Sequence, residues 1–145
     1  SAQGTVNGRE LYTTLVSFQT QTKKPVYVLA SHSHYYMSNI YNTACRKEKQ
    51  QTVLPGWIIG TAGAVRYRLP SDTSGADAAQ TDVYGYLLGT VAADGSITFE
   101  FKTVSEKDVP QPVNERYTPA FASQCFTGNH SKAVIAGPAM PPNCP

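Results

Sequence analysis

The sequence predicts a mixed α/β (α+β) fold, and three observations carry that expectation. An apolar stripe at helical spacing opens the chain, a short unbroken apolar run follows it, and two alternating segments further on flank an Asp-Gly pair. With 145 residues, 41% of them hydrophobic, the chain suits a single core, since roughly 100 to 200 residues build one domain. An α/β domain is expected over 1–109 and an irregular Pro-rich arm over 110–145.

Asn7 can cap the first helix, with Glu10 three residues later as in a capping box. Leu11, Leu15 and Phe18, flanked by Tyr12 and Val16, form the stripe, and Lys23, Lys24 and Pro25 end it. Val26 to Ala30 is too short for a helix and rich in β-formers, as in a strand covered on both faces. The polar stretch from Ser31 to Gln51 opens a middle part, 31–109, that reads as mostly loop and strand. Gly56 to Val65 is the second apolar segment, where Gly60, Ala62, Gly63 and Ala64 permit close approach of a backbone or a ligand. A loop rich in Ser, Gly, Asp and Ala spans 70–82. Val83 to Ala92 and Ser96 to Val104 then flank Asp94-Gly95 as a hairpin. Alternation of Ile97, Phe99 and Phe101 with Thr98, Glu100 and Lys102 gives its second strand one buried face. The helix should pack on one sheet built from Val26 to Ala30, Gly56 to Val65 and this hairpin. Seven of the ten prolines fall after residue 109, leaving room for at most a short helix or turn near Phe121 to Phe126. There are no internal repeats.

A net charge of +2 and a pI near 8.4 advertise neither a nucleic-acid nor a membrane partner. Arg46, Lys47 and Lys49, interrupted by Glu48, read as a solvated face. No apolar run reaches the roughly 18 residues of a membrane helix, and SAQGTVNGRE has no apolar stretch for a signal peptide, so a cytosolic chain or one whose leader was removed is expected. Charged residues make up only 15% against about 25% in ordinary domains, a balance that suits a periplasmic or secreted protein. The three cysteines show no C-x-x-C spacing for zinc. In an oxidising compartment Cys125 and Cys144 are the natural pair, stapling the tail, with Cys45 free or reactive.

The chemistry concentrates at His32 and His34, directly after the first apolar run. Ligands of α/β sheets bind at the carboxyl ends of strands, and two imidazoles in one tight loop can aim at a common point or at two metals. A lone histidine there would be an ordinary hydrogen-bonded loop residue. Gly-x-Ser-x-Gly, P-loop and Gly-x-Gly-x-x-Gly patterns are absent. Cys45, beside Arg46 and Lys47, lacks a group to orient a His base for nucleophilic work. Gly128-Asn129-His130 sits in the Pro-rich tail, and Asn129-His130-Ser131 matches a glycosylation sequon.

VYVLASHSHYY resembles the last signature of the calcineurin-like metallophosphoesterases, Gly-His-x-His after a buried strand, with Ser31 standing where the family usually has Gly. GWIIGTAGAVRYRLP and YGYLLGTVAADGSITFEF resemble the segments that succeed this signature in bacterial members, so the likeness covers roughly residues 9 to 105. It implies that 1–109 is the C-terminal half of a metallophosphoesterase sandwich. His32 would bind one metal of a binuclear pair and His34 the other, the metals being Zn, Fe or Mn, with a phosphomonoester or phosphodiester as substrate. The family's upstream motifs, Asp-x-His, Gly-Asp-x-x-Asp and Gly-Asn-His with an acid, do not precede His32. The partner implied is therefore the N-terminal half of the same enzyme, without which the chain should bind metal weakly or not at all and be inactive. A partial domain should also self-associate as a homo-oligomer, through exposed faces and edges. The competing class is a non-catalytic β-rich module that binds a partner or glycan through Trp57 and the nine tyrosines.

Overall fold

The computed structural model describes residues 2–70, 73 and 76–130, and over these the fold is mixed α+β. Helix α1 (Ala2–Thr22) is followed by β1 (Val28–Ala30), β2 (Tyr36–Ser38), α2 (Ala44–Glu48), β3 (Gly56–Ile59) and β4 (Ala79–Gln80). The long strands β5 (Tyr84–Val91) and β6 (Ile97–Val104) come next, then a 3-10 turn (Glu106–Asp108), α3 (Gln111–Tyr117) and α4 (Pro119–Gly128).

Strands β1 to β4 form one sheet in the order β1-β3-β2-β4. β1 and β3 run parallel, Val28 opposite Gly56 and Ala30 opposite Ile58, whereas β2 is antiparallel to both β3 and β4. The parallel pair matters for function, because it brings the loop after β1 and the loop after β3 to the same end of the sheet.

The hairpin forms as its sequence pattern predicts, with Tyr84 opposite Val104 and Val91 opposite Ile97. Its turn is closed by Gly95 N–H, which donates to the Ala92 carbonyl, and Gly95 has φ +81°, which an L side chain resists. It is, however, a separate two-stranded sheet, so the expected single sheet is corrected to two. The two are joined by aromatic contacts. Phe99 meets Trp57 at 4.6 Å and Tyr27 at 5.0 Å, and Phe101 stacks on Tyr36 at 3.9 Å. Each such pair contributes about 0.5–1.5 kcal/mol beyond area burial. Hydrogen bonds add to the joint: Thr61, 1% exposed, donates from Oγ1 to the Gly85 carbonyl at 2.7 Å and accepts Gly85 N–H on its own carbonyl at 3.2 Å.

Four further expectations are corrected. Asn7 is inside α1 rather than at its cap, because helical backbone already begins at Ala2. The helix turns Tyr12, Leu15, Val16 and Gln19 toward the body, while Leu11 and Phe18 are 61% and 50% exposed; the packed face is rotated from the sequence stripe because Tyr12 Oη accepts Leu54 N–H and Gln19 Oε1 accepts Val26 N–H. β1 is an edge strand with Leu29 51% exposed, so it is not covered on both faces. Finally, the arm is not irregular over 111–128. Pro112 and Pro119 stand in the first turns of α3 and α4, where a missing N–H costs nothing, and Thr118 Oγ1 accepts Phe121 N–H to start α4. Residues 131–145, with Cys144 and therefore the Cys125–Cys144 staple, lie outside the described residues.

Candidate functional site

His32 and His34 follow the carboxyl end of β1, where the parallel β1/β3 pair makes two loops converge. The loop after β3 begins at Gly60, and this position is occupied from the other side by the histidine loop. A Cβ on residue 60 would collide with the carbonyl oxygens of Ser31 and Ser33 and lie 2.7 Å from the Ser33 carbonyl carbon. Among the small residues of this segment, Gly60 is thus the one that lets another backbone approach. Ser31 stands outside the left-handed region, so its backbone does not call for glycine.

Farther along, residues 65 to 67 hold His34 from two sides. Its Nδ1 lies 2.8 Å from the Val65 carbonyl oxygen. A carbonyl only accepts, so Nδ1 carries a proton, and in the neutral ring Nε2 is the nitrogen that keeps its lone pair. The imidazole stacks on Tyr67 at 4.2 Å with 23° between the planes, and Tyr67 N–H donates to the His34 carbonyl at 2.9 Å. His32 is exposed. The pair therefore consists of one oriented, half-buried ring and one that faces solvent.

Arg66, between those two supports, points the other way. It is 6% exposed, and its guanidinium donates to three backbone carbonyls: Phe126 at 2.6 Å, Asp82 at 2.9 Å and Asn129 at 3.2 Å. It also lies 4.7 Å above the Tyr84 ring. Phe126 belongs to the last turn of α4, where unpaired carbonyls and the negative end of the helix dipole favour a cation. Asn129 Nδ2 donates to Tyr84 Oη at 2.6 Å and to the carbonyls of Ala64 and Gly63 at 3.4 and 3.5 Å. Gly128-Asn129-His130 is thus the seam between the arm and the β3 loop. His130 Nδ1 is buried with no hydrogen-bond partner among the described residues.

Among the described residues no group of three or more His, Cys, Asp or Glu is arranged to hold a metal ion. Asp77 accepts a hydrogen bond from Asn39, and the Asp82 carbonyl serves Arg66. Cys45 falls on α2, and its side chain lies outside the described set.

A second concave region lies between α1 and the segment after α2, an open cleft of about 430 Å³ lined by Arg9, Tyr12, Thr13, Val16, Arg46 and Thr52, among others. Arg46 lies 4.1 Å above the Tyr12 ring and 5.8 Å from Tyr41, so it is not simply part of a solvated face. Burial pushes the Tyr41 hydroxyl up, neighbouring Tyr12 adds to this, and Arg46 opposes it.

Sequence reasoning located the histidines and Gly60 but missed their supports. Val65, Arg66 and Tyr67 carry no local signal, since their partners are distant in the chain or on another element: the Val65 carbonyl serves a ring 31 residues away and Arg66 reaches across 63. Compared with protein-family models, curated proteins and solved structures, the chain matches none.

Proposed function

We propose that this chain contributes the His-x-His ligands of a binuclear metal phosphoesterase, which cleaves phosphomonoesters or phosphodiesters. The observation that carries this is the Nδ1–H bond from His34 to the Val65 carbonyl. Metal-ligating histidines commonly tie their second nitrogen to a carbonyl or carboxylate, which fixes the tautomer and presents the other nitrogen to the ion. His34 fits that role, and His32 would be the ligand of the other metal. When bound, a pair of Zn, Fe or Mn ions would lower the pKa of a water and neutralise the phosphoryl oxygens. Two imidazoles are fewer than the three or four protein ligands of natural sites, so the carboxylate donors would come from outside the described residues, in an N-terminal half of the enzyme. A periplasmic or secreted location belongs to the same proposal; no helix among the described residues is long and apolar enough to cross a membrane.

The test is metal binding by the purified chain, with Co²⁺ as probe, followed by assay with p-nitrophenyl phosphate. Weak Co²⁺ binding lost in both His32→Ala and His34→Ala, together with hydrolysis no faster than metal-containing buffer, is the expected result. Adding a polypeptide that carries the acidic motifs should then produce turnover. Metal-dependent turnover by the chain alone would contradict the division of ligands, and Co²⁺ binding indifferent to both histidines would contradict the site.

The cleft beside Arg46 favours a second reading, a non-catalytic module that binds a partner or glycan. Tyr12 and the guanidinium groups of Arg9 and Arg46 that line it would serve such a surface. Ligand binding abolished by Arg46→Ala and untouched by His34→Ala would favour it.

A further inference from the structure

The geometry points to Arg66 as a positioning residue for His34, making the competence of the histidine loop depend on docking of α4; this rests on the proposal that His34 is a metal ligand. Three consecutive residues carry the link. Val65 supplies the carbonyl that fixes the His34 tautomer, and Tyr67 supplies the stacking ring and a backbone donor. Arg66 lies between them and anchors the segment in the opposite direction, on carbonyls of α4, the following Asn129 and Asp82. Its own N–H adds a fourth bond, to the Asn129 carbonyl at 3.1 Å.

Four donor contacts from one buried residue leave little freedom to translate or twist the segment. The neighbours Ala62, Gly63, Ala64 and Val65 are all exposed, and apart from the Asn129 side-chain ties to the Gly63 and Ala64 carbonyls, Arg66 is the anchor nearest the Val65 carbonyl. Without that anchor the carbonyl drifts, the His34 ring loses its fixed donor arrangement, and Nε2 is no longer held as the free nitrogen. Lysine cannot replace arginine, because one ammonium cannot span three carbonyls that a planar guanidinium reaches in a fork.

The experiment is long-range ¹H–¹⁵N NMR of the imidazole rings in the full chain, alongside Co²⁺ titration. Native protein should show His34 as a single Nδ1–H tautomer. Arg66→Lys should show mixed tautomers and about tenfold weaker Co²⁺ binding, the lower end of the loss usual for an outer-shell change. Gly95→Ala, which strains the distant hairpin turn, should lower the melting temperature yet leave the His34 signals unchanged. If Arg66→Lys fails to fold, Asn129→Ala, which removes the side-chain ties to Gly63 and Ala64, should give partial tautomer mixing. A single unchanged tautomer in folded Arg66→Lys overturns the proposal, as does equal mixing in Gly95→Ala or a mixed tautomer in native protein. Absence of Co²⁺ binding by native protein, with tautomer mixing still following Arg66, would remove the metal reading and leave the positioning role standing.

Discussion

Replacing Gly60 by alanine adds one methyl group where two loops already touch. The new Cβ would be 2.7 Å from the Ser33 carbonyl carbon and closer still to the carbonyl oxygens of Ser31 and Ser33. Ordinary van der Waals contact begins near 3.4 Å, and every offending atom is backbone, so no side chain can rotate away. The histidine loop must move by more than about 1 Å to clear its carbonyl oxygens, or β3 must bend. Overpacking of this kind costs about 1–3 kcal/mol, which for a domain of this size lowers the melting temperature by about 3 to 10 °C. The displacement also pulls His34 away from Val65, so Co²⁺ affinity should fall with stability. Thermal unfolding followed by circular dichroism, together with metal titration, measures both. A melting temperature indistinguishable from the parent's and unaltered Co²⁺ binding would show that the loops are not in contact, and the account of how the site is positioned would collapse.

Gly8→Ala should have the opposite sign: residue 8 is inside α1 with nothing within 4 Å of a new Cβ, and the helix should gain about 0.5–1 kcal/mol, seen as a higher melting temperature and not a lower one. The carboxyls of Asp94 and Asp108 are held below the usual range by hydrogen bonds from Ser96 and Ser105, side-chain bonds first and backbone N–H second. With folded pKa values below the unfolded ones, their contribution is present above the ordinary carboxylate pKa and disappears as pH falls through the folded values, so NMR titration should place both midpoints below those of exposed carboxylates. Burial raises Tyr36 against the weaker opposing effect of Ser38, and it raises Tyr41; the stability contributed by keeping these hydroxyls protonated is complete below the ordinary tyrosine pKa and is lost as pH rises through their folded values, which a spectrophotometric titration should register as late-ionising tyrosines. Light scattering should report a homo-oligomer, with Leu11→Glu and Phe18→Glu shifting it toward monomer; a monomeric parent at high concentration would refute association through the exposed face of α1.

The hairpin is legible in the sequence because its information is local: period-2 alternation and an Asp-Gly turn are both satisfied by neighbours in the chain. The histidine pair is legible for the same reason, as two residues behind a strand. β2 escapes because Tyr36-Met37-Ser38 is three residues long and flanked by polar loop; it is buried only because β3 and β4 close on it from elsewhere. α3 escapes, and α4 is anticipated only as a short helix or turn near Phe121 to Phe126, because proline reads as a breaker unless its position within a first turn is known. Arg66 shows the limit most clearly. Its hydrogen bonds end on carbonyls between 16 and 63 residues distant in the chain, and no spacing rule connects them.

The aromatic joint between the two sheets has a spectroscopic consequence. Trp57 is the sole tryptophan, and its indole sits against Phe99 of the hairpin with Tyr27 6.3 Å away. Its emission therefore reports whether β5 and β6 remain seated on the sheet, whereas energy transferred from Tyr27, which leads into β1 beside β3, reports the integrity of the four-stranded sheet itself. Neither signal arises from α1 or α4. A fluorescence melt would record separation of the sheets while remaining blind to an arm that had already let go of Arg66, so the order of the two events emerges only when emission is compared with helical ellipticity in one sample.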